Sequence, residues 1–163
     1  MTISRSSDDV ELPRIAEIRL EEPSLAMLQN TLVGVRYFVC IPVGATVENA
    51  TLTLTASENN SEPAVARIRT ERVGNSESFL TNPSIIGRFA SQLDVDWTVP
   101  SFVAGDSYLT PDISSIMNEV LDLPSWNGCG NMLFVFEQSG ERNIVAYDSS
   151  PDEAVVLTFE LAD

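Results

Sequence analysis

VGVRYFVCIPVGATVENATLTLT, residues Val33 to Thr55, is the stretch whose reading decides the fold. In its first half, Val33, Val35, Tyr37, Val39 and Ile41 fall on one face, and Gly34, Arg36, Phe38 and Cys40 on the other. The second half alternates again, with Leu52 and Leu54 opposed to Thr51, Thr53 and Thr55. Successive side chains of a strand point to opposite sides, so a period of two over this length specifies strands with one core face and one wet face. Between the halves, Ile41-Pro42-Val43-Gly44 takes the chain out of the sheet. Pro42 has no N–H to donate, and Gly44 tolerates positive φ. The stretch predicts two strands joined by a turn.

Reading outward, residues 1–9 are polar and read as a loose terminus. Ile15–Leu20 is a short strand candidate, and Leu25–Leu28 a second strand or a turn of helix. Ser57–Pro63 is a loop by composition. Val65–Val73 alternates, which sets Arg67 and Arg69 side by side on an exposed face and Ala66, Ile68 and Thr70 on the other. Ser84–Phe89 is ambiguous. Leu93–Val99 is a strand with Leu93, Val95, Trp97 and Val99 on one face.

The period changes once. Thr110–Leu123 carries Ile113, Ile116, Met117, Val120 and Leu121 on one helical stripe. Thr110 is the expected N-cap, with Pro111 at the first helical position and Asp112 at the positive end of the dipole. Pro124 ends the helix, and Trp126 reads as a plug beyond it. Met132–Phe136 is a nearly continuous apolar run, the pattern of a central strand covered on both faces. Arg142–Tyr147 and Ala154–Leu161 close the chain as strands. About eight or nine strands at regular spacing predict an all-β fold, an antiparallel β-sandwich of the jelly-roll, galactose-binding-like kind, with one amphipathic helix on a connection. No internal repeat is visible, and residues 1–163 read as one domain.

The net charge is −15 and the pI about 4.1. All nine basic residues are Arg; Lys and His are absent. Such a surface repels phosphate backbones and anionic membranes, so nucleic acid is not an expected partner. No apolar run approaches the ~20 residues that span a bilayer, so membrane insertion is not expected either. The acidity fits adaptation to salt, cation sites for which Ca²⁺ is the natural candidate, or a solvated surface. The N-terminal MTISRSSDDV has no apolar core of a secretory signal, which leaves an intracellular chain or a mature or excised domain. Cys40 and Cys129 could pair or stay as two free thiols; spacing does not decide.

Without His, neither a Ser-His-Asp nor a Cys-His arrangement can form, and no Gly-rich phosphate loop is present, so the chain is read as no enzyme. Carboxylates are too abundant to point to a glycosidase pair. Arg36, Arg67, Arg69 and Arg142, placed outward on strands, could hold sugar carboxylates with a bidentate fork, or could neutralise neighbouring Asp and Glu. Tyr108 and Tyr147 could stack on sugar rings. Trp97 shares its face with apolar residues and belongs to the core. Asp148, Asp152 and Glu153 share one oxygen-rich turn that suits Ca²⁺, or is a solvated turn. Asn49-Ala50-Thr51 and Asn59-Asn60-Ser61 fit glycosylation sequons, meaningful only in a eukaryotic secretory setting.

The run Val35-Arg36-Tyr37-Phe38, followed by Ile41-Pro42-Val43-Gly44-Ala45 and Ala50-Thr51-Leu52, resembles the opening of DNRLRE-type domains. The segments Val95-Asp96-Trp97, Thr110 to Val120, Pro124-Ser125-Trp126-Asn127-Gly128 with Gly130-Asn131, and Arg142 with Ala146 to Pro151 extend the likeness. Together they resemble a jelly-roll domain of large secreted or surface proteins of bacteria, from about Leu25 to the C-terminus. The resemblance implies a carbohydrate-binding or adhesive module, extracellular or at the cell surface, with polysaccharide or other surface proteins as partners and a structural Ca²⁺; exposed Arg and aromatic side chains point to an acidic polysaccharide as the expected ligand. The alternative expectation is a self-associating structural subunit of a surface layer, filament or shell.

Overall fold

The apolar run at Met132–Phe136 becomes the middle of the larger of two sheets. The structure is a computed structural model that describes residues 1, 3, 5, 8–13, 19–27, 31–82, 88 and 92–163. In chain order its elements are β1 (Asp9–Pro13), β2 (Ser24–Met27), β3 (Thr31–Cys40), β4 (Val47–Thr55), β5 (Ala64–Thr70), β6 (Val95–Val99), β7 (Ser107–Leu109), α1 (Ser114–Leu121), β8 (Cys129–Ser139), β9 (Arg142–Val145) and β10 (Val156–Leu161). One layer is a five-stranded sheet in the order β1-β3-β8-β5-β6. The other is the three-stranded sheet β10-β4-β7 with the β2-β9 ribbon, joined by a bridge between Ala56 and Ile144. All pairings are antiparallel. β8 inserts between β3 and β5, which come before it in the chain, so the winding is that of an all-β sandwich of the jelly-roll kind. The strand candidate Ile15–Leu20 and the ambiguous Ser84–Phe89 fall largely outside the described residues. No helix among the described residues is long and apolar enough to cross a membrane.

The main core lies between the layers. Val33, Val35, Tyr37 and Val39 of β3 meet Met132, Phe134 and Phe136 of β8, Leu52 and Leu54 of β4, and Ile116, Met117 and Val120 of α1. Trp97 is buried here, as its strand parity predicts. Trp126 is buried as well, and its indole N–H donates to the Ile41 carbonyl at 3.0 Å. The loop around it packs tightly: a Cβ at Gly130 would sit 2.2 Å from the Gly74 carbonyl oxygen. A second cluster covers the opposite face of the larger sheet, where Val10, Leu12, Leu32, Leu133 and Val135 gather around Phe79. β8 is therefore apolar on both sides, as its composition predicts.

The two strands of the opening stretch are not neighbours: β3 pairs with β1 and β8, and β4 with β10 and β7; four local expectations are corrected as well. The Pro42–Gly44 turn, with Gly44 at φ 85, carries the chain from one layer to the other. The face of β3 that carries Arg36 is wet only beyond it, at Phe38 and Cys40, because the 71–82 segment lies over the rest. The helix is shorter than its stripe. Thr110 and Ile113 donate their N–H groups to Leu52 and Ala50 of β4, so residues 110–113 continue the sheet. Thr110 Oγ1 accepts from the Leu52 N–H rather than capping the helix, and Asp112 Oδ1 accepts from Ala50 and Ser114. Leu93 lies ahead of β6 and is 47% exposed. The N-terminal segment is not loose where described. Ile3 is buried in the core, and Met1 exchanges backbone hydrogen bonds with Leu157.

Buried carboxylates join the layers at one edge. With Val10 and Leu12 turned to the outer cluster, Asp9 and Glu11 of β1 point the other way. Glu11 Oε2 accepts from the Ala26 N–H at 2.8 Å, and Asp9 Oδ2 from the Tyr147 N–H at 2.7 Å. Asp9 is 1% exposed, and its Oδ1 has no hydrogen-bond partner among the described residues. Burial raises its carboxyl from 3.8 to about 6; the Tyr147 hydrogen bond opposes the rise, and Asp148 and Asp8 add to it. A carboxyl whose folded pKa is raised binds its proton more tightly folded than unfolded. It therefore costs stability as pH climbs from about 4 to above 6, to a limit of about 3 kcal/mol. Asp9→Asn, which keeps an oxygen for the Tyr147 N–H, should raise the melting temperature at pH 7.5. The gain should shrink steadily as calorimetry is repeated down to pH 4.

Candidate functional site

The outer face of the five-stranded sheet divides into a covered and an open half. On the covered half, Phe79 and its segment lie over Leu133 and Val135. Arg88 holds that segment down: its Nε and Nη2 grip Glu71 at 3.2 and 3.0 Å, and its Nη1 donates to the Asn82 carbonyl at 2.8 Å. Its guanidinium also stands over the Phe79 ring, 5.3 Å from the centroid. This clamp is planar and bidentate, the geometry that Arg supplies and Lys does not.

On the open half, β6, β5 and the end of β8 present side chains in register. Asp96, Arg67 and Glu137 stand in one row, and Thr98, Val65 and Ser139 in the next. Arg67 Nε lies 3.2 Å from Asp96 Oδ1 and 3.4 Å from Asp94 Oδ2. Arg69 reaches Asp94 at 3.7 Å and Glu137 at 3.8 Å. The hydrogen bond to Asp96, with the charges of Asp94, Asp96 and Glu137, raises the Arg67 pKa further. These rows, with Thr31, line a groove of about 600 Å³. Its walls alternate charged donors, charged acceptors and hydroxyls, which suits a ligand with many hydroxyl groups.

The other sequence-predicted residues lie elsewhere. Arg142 and Arg36 are buried, which corrects their expected outward placement. Arg142 donates to the carbonyls of Pro100, Glu141, Glu62 and Val99, and its guanidinium stands 5.4 Å from the Phe102 ring centroid. Burial lowers its pKa. Tyr108 is half-buried and stacks on Phe102 with centroids 4.3 Å apart; its hydroxyl accepts from the Val103 N–H. Tyr147 is half-buried against the main core. Arg36 pairs with Asp8, itself buried. Thus Arg67 alone of the predicted ligand residues lines the open groove; Arg69 stands two residues along β5, half-buried among carboxylates, and Arg36, Tyr108, Arg142 and Tyr147 lie elsewhere. Asp148, Asp152 and Glu153 are exposed on their turn, and among the described residues no three Asp, Glu or Cys side chains gather as a metal-binding group.

Cys40 and Cys129 form a disulfide across directly opposed residues of β3 and β8. Both are exposed at the sheet end.

Reading Arg67 and Arg69 as the exposed pair did not identify their partners. Asp94, Asp96 and Glu137 could have been found from parity alone, since each lies out of phase with Val95, Trp97 or Phe136. The two kinds of arginine separate by experiment. Arg36→Gln leaves the buried Asp8 carboxylate without its guanidinium and should cost about 3 kcal/mol in denaturant unfolding. Arg67→Gln, at the exposed groove, should leave the unfolding midpoint unchanged within error.

Compared with family models, curated proteins and solved structures, the chain matches none.

Proposed function

We propose that this chain is a non-catalytic, carbohydrate-binding module of a secreted or cell-surface protein, with the β5-β6-β8 groove as its glycan face. The observation that carries the reading is the row Asp96–Arg67–Glu137 on an open face of about 600 Å³. A guanidinium between two carboxylates offers paired donors and acceptors at the spacing of neighbouring sugar hydroxyls. Two carboxylates, Asp96 and Glu137, and one guanidinium, Arg67, line the groove, so it favours a neutral, hydroxyl-rich glycan over the acidic polysaccharide expected from the sequence. Proton transfer is not the use these carboxylates are set up for, since Asp94, Asp96 and Glu137 are committed to Arg67 and Arg69. An exposed disulfide persists in an oxidising compartment, which supports the extracellular placement. The likeness to DNRLRE-type domains points the same way.

A second reading, a structural subunit, is supported by the edge strands. Among the described residues β6 pairs only with β5 and β7 only with β4, and Leu109 on β7 is 61% exposed. Open strand edges are templates for another chain. Light scattering across salt concentrations separates the two: the binding module stays monomeric, and the subunit assembles.

Affinity gel electrophoresis with neutral β-glucans, pectin and alginate, each with Ca²⁺ and with chelator, tests the glycan reading. Retardation should be strongest on a neutral glucan and be lost in Arg67→Ala and Glu137→Gln, both of which should fold normally. Migration unchanged on every gel, or retardation indifferent to both substitutions, would overturn it. Retardation that depends on Ca²⁺ would add a structural ion on Asp148, Asp152 and Glu153 to the reading.

A further inference from the structure

A second concavity of about 320 Å³ opens on the same outer face, over β3, lined by Arg5, Asp8, Arg36, Phe38, Ser78 and Asn131. Its polarity runs against that of the molecule. Two guanidiniums face one carboxylate here, in a chain of net charge −15. Arg36 is more than nine-tenths buried. Its Nη2 donates to Asp8 and its Nη1 to the Ser76 carbonyl at 3.3 Å, but its buried Nε–H has no partner among the described residues. A buried charged donor is costly to leave unmade, and few native structures carry one without a purpose. At the same pocket Phe38 is 61% exposed, an aromatic face held in water beside a cation. Arg5 is exposed as a second donor.

From this geometry we infer that the pocket binds a carboxylate carried on a ring. The carboxylate meets the Arg36 guanidinium and Arg5, and the ring lies on Phe38. A bare inorganic anion would leave Phe38 unused, and a neutral ring would leave the pocket's excess positive charge unmatched. A free aromatic acid and a uronic acid both have this chemistry, one with a flat π-face and the other with the apolar face of a sugar ring. The pocket shares no residue with the β5-β6-β8 groove, so its occupancy stands or falls apart from the glycan reading there.

The test is an amide and arginine-side-chain NMR titration of the ¹⁵N-labelled protein with sodium glucuronate and, separately, sodium benzoate. Glucose and benzyl alcohol serve as the uncharged counterparts. Saturable shifts should centre on Phe38, Ser78, Asn131 and the Arg36 Nε–H with at least one of the acids, and be absent with both neutral compounds. Saturation by glucuronate alone identifies the sugar acid; by benzoate alone, the aromatic one. Arg36→Gln would unsettle the fold through Asp8, so the surface variants Phe38→Ala and Arg5→Gln carry the mutational arm. Phe38→Ala should weaken binding about tenfold, with an unchanged melting temperature. No saturable shift with either acid, equal shifts with the neutral compounds, shifts centred on Arg67 and Glu137, or binding indifferent to both variants would overturn the assignment.

Discussion

Everything in this structure depends on β8 being apolar on both faces. A strand of that kind must sit in the middle of its sheet with cover on each side, because neither Leu133 nor Phe134 can be left to water. The inner cover is the second layer and α1. The outer cover is the Phe79 segment, which packs on Val10, Leu12, Leu32, Leu133 and Val135 of β1, β3 and β8. Burying the six side chains of that outer cluster is worth on the order of 10 kcal/mol by area, an upper estimate that still rivals the whole net stability of a typical domain. The outer cluster is thus part of what folds the chain, and the segment that forms it is pinned accordingly by Arg88 and Glu71.

The cover ends where the apolar run ends. Past Phe136, β8 turns polar at Glu137 and Ser139, and the β5 residues beside them are Arg67 and Val65. The outer face is therefore divided by composition into a dry half and a wet half, and the wet half is where a rigid sheet displays side chains in register. Arginine serves both halves. Arg36, Arg88 and Arg142 are buried and spread their donors over carboxylates and backbone carbonyls, whereas Arg67 and Arg69 stay at the surface among carboxylates. A chain with no Lys can do this because the guanidinium fork satisfies several acceptors from one buried position.

What could be read from residues alone was whatever rests on local period. The strand class, the two-faced burial of Met132–Phe136, the inward Trp97, the apolar stripe of the helix and the exposed Arg67–Arg69 pair all follow from spacings of two or of three and four. What could not be read depends on which strand neighbours which. Val33–Thr55 looks like a pair of partners, yet its halves belong to different layers, since β8, about ninety residues downstream, occupies the edge of β3 that β4 would need. Arg36 has the parity of an outward residue, but the Phe79 segment covers that parity, and no local pattern announces a lid. Thr110 and Asp112 have the chemistry of helix caps; they spend it on β4 because its edge N–H groups stand close by. The pairing of Cys40 with Cys129 likewise waits on register, which sets them directly opposite.

Amide hydrogen exchange in the free protein tests the placement of β8 most directly. The amides of Met132 to Phe136 should be among the slowest in the chain and exchange only through global unfolding, while those of the edge strands β6 and β7 exchange orders of magnitude faster. Exchange in Met132 to Phe136 as rapid as in β6 and β7 would contradict the central, doubly covered position on which the rest of the account is built.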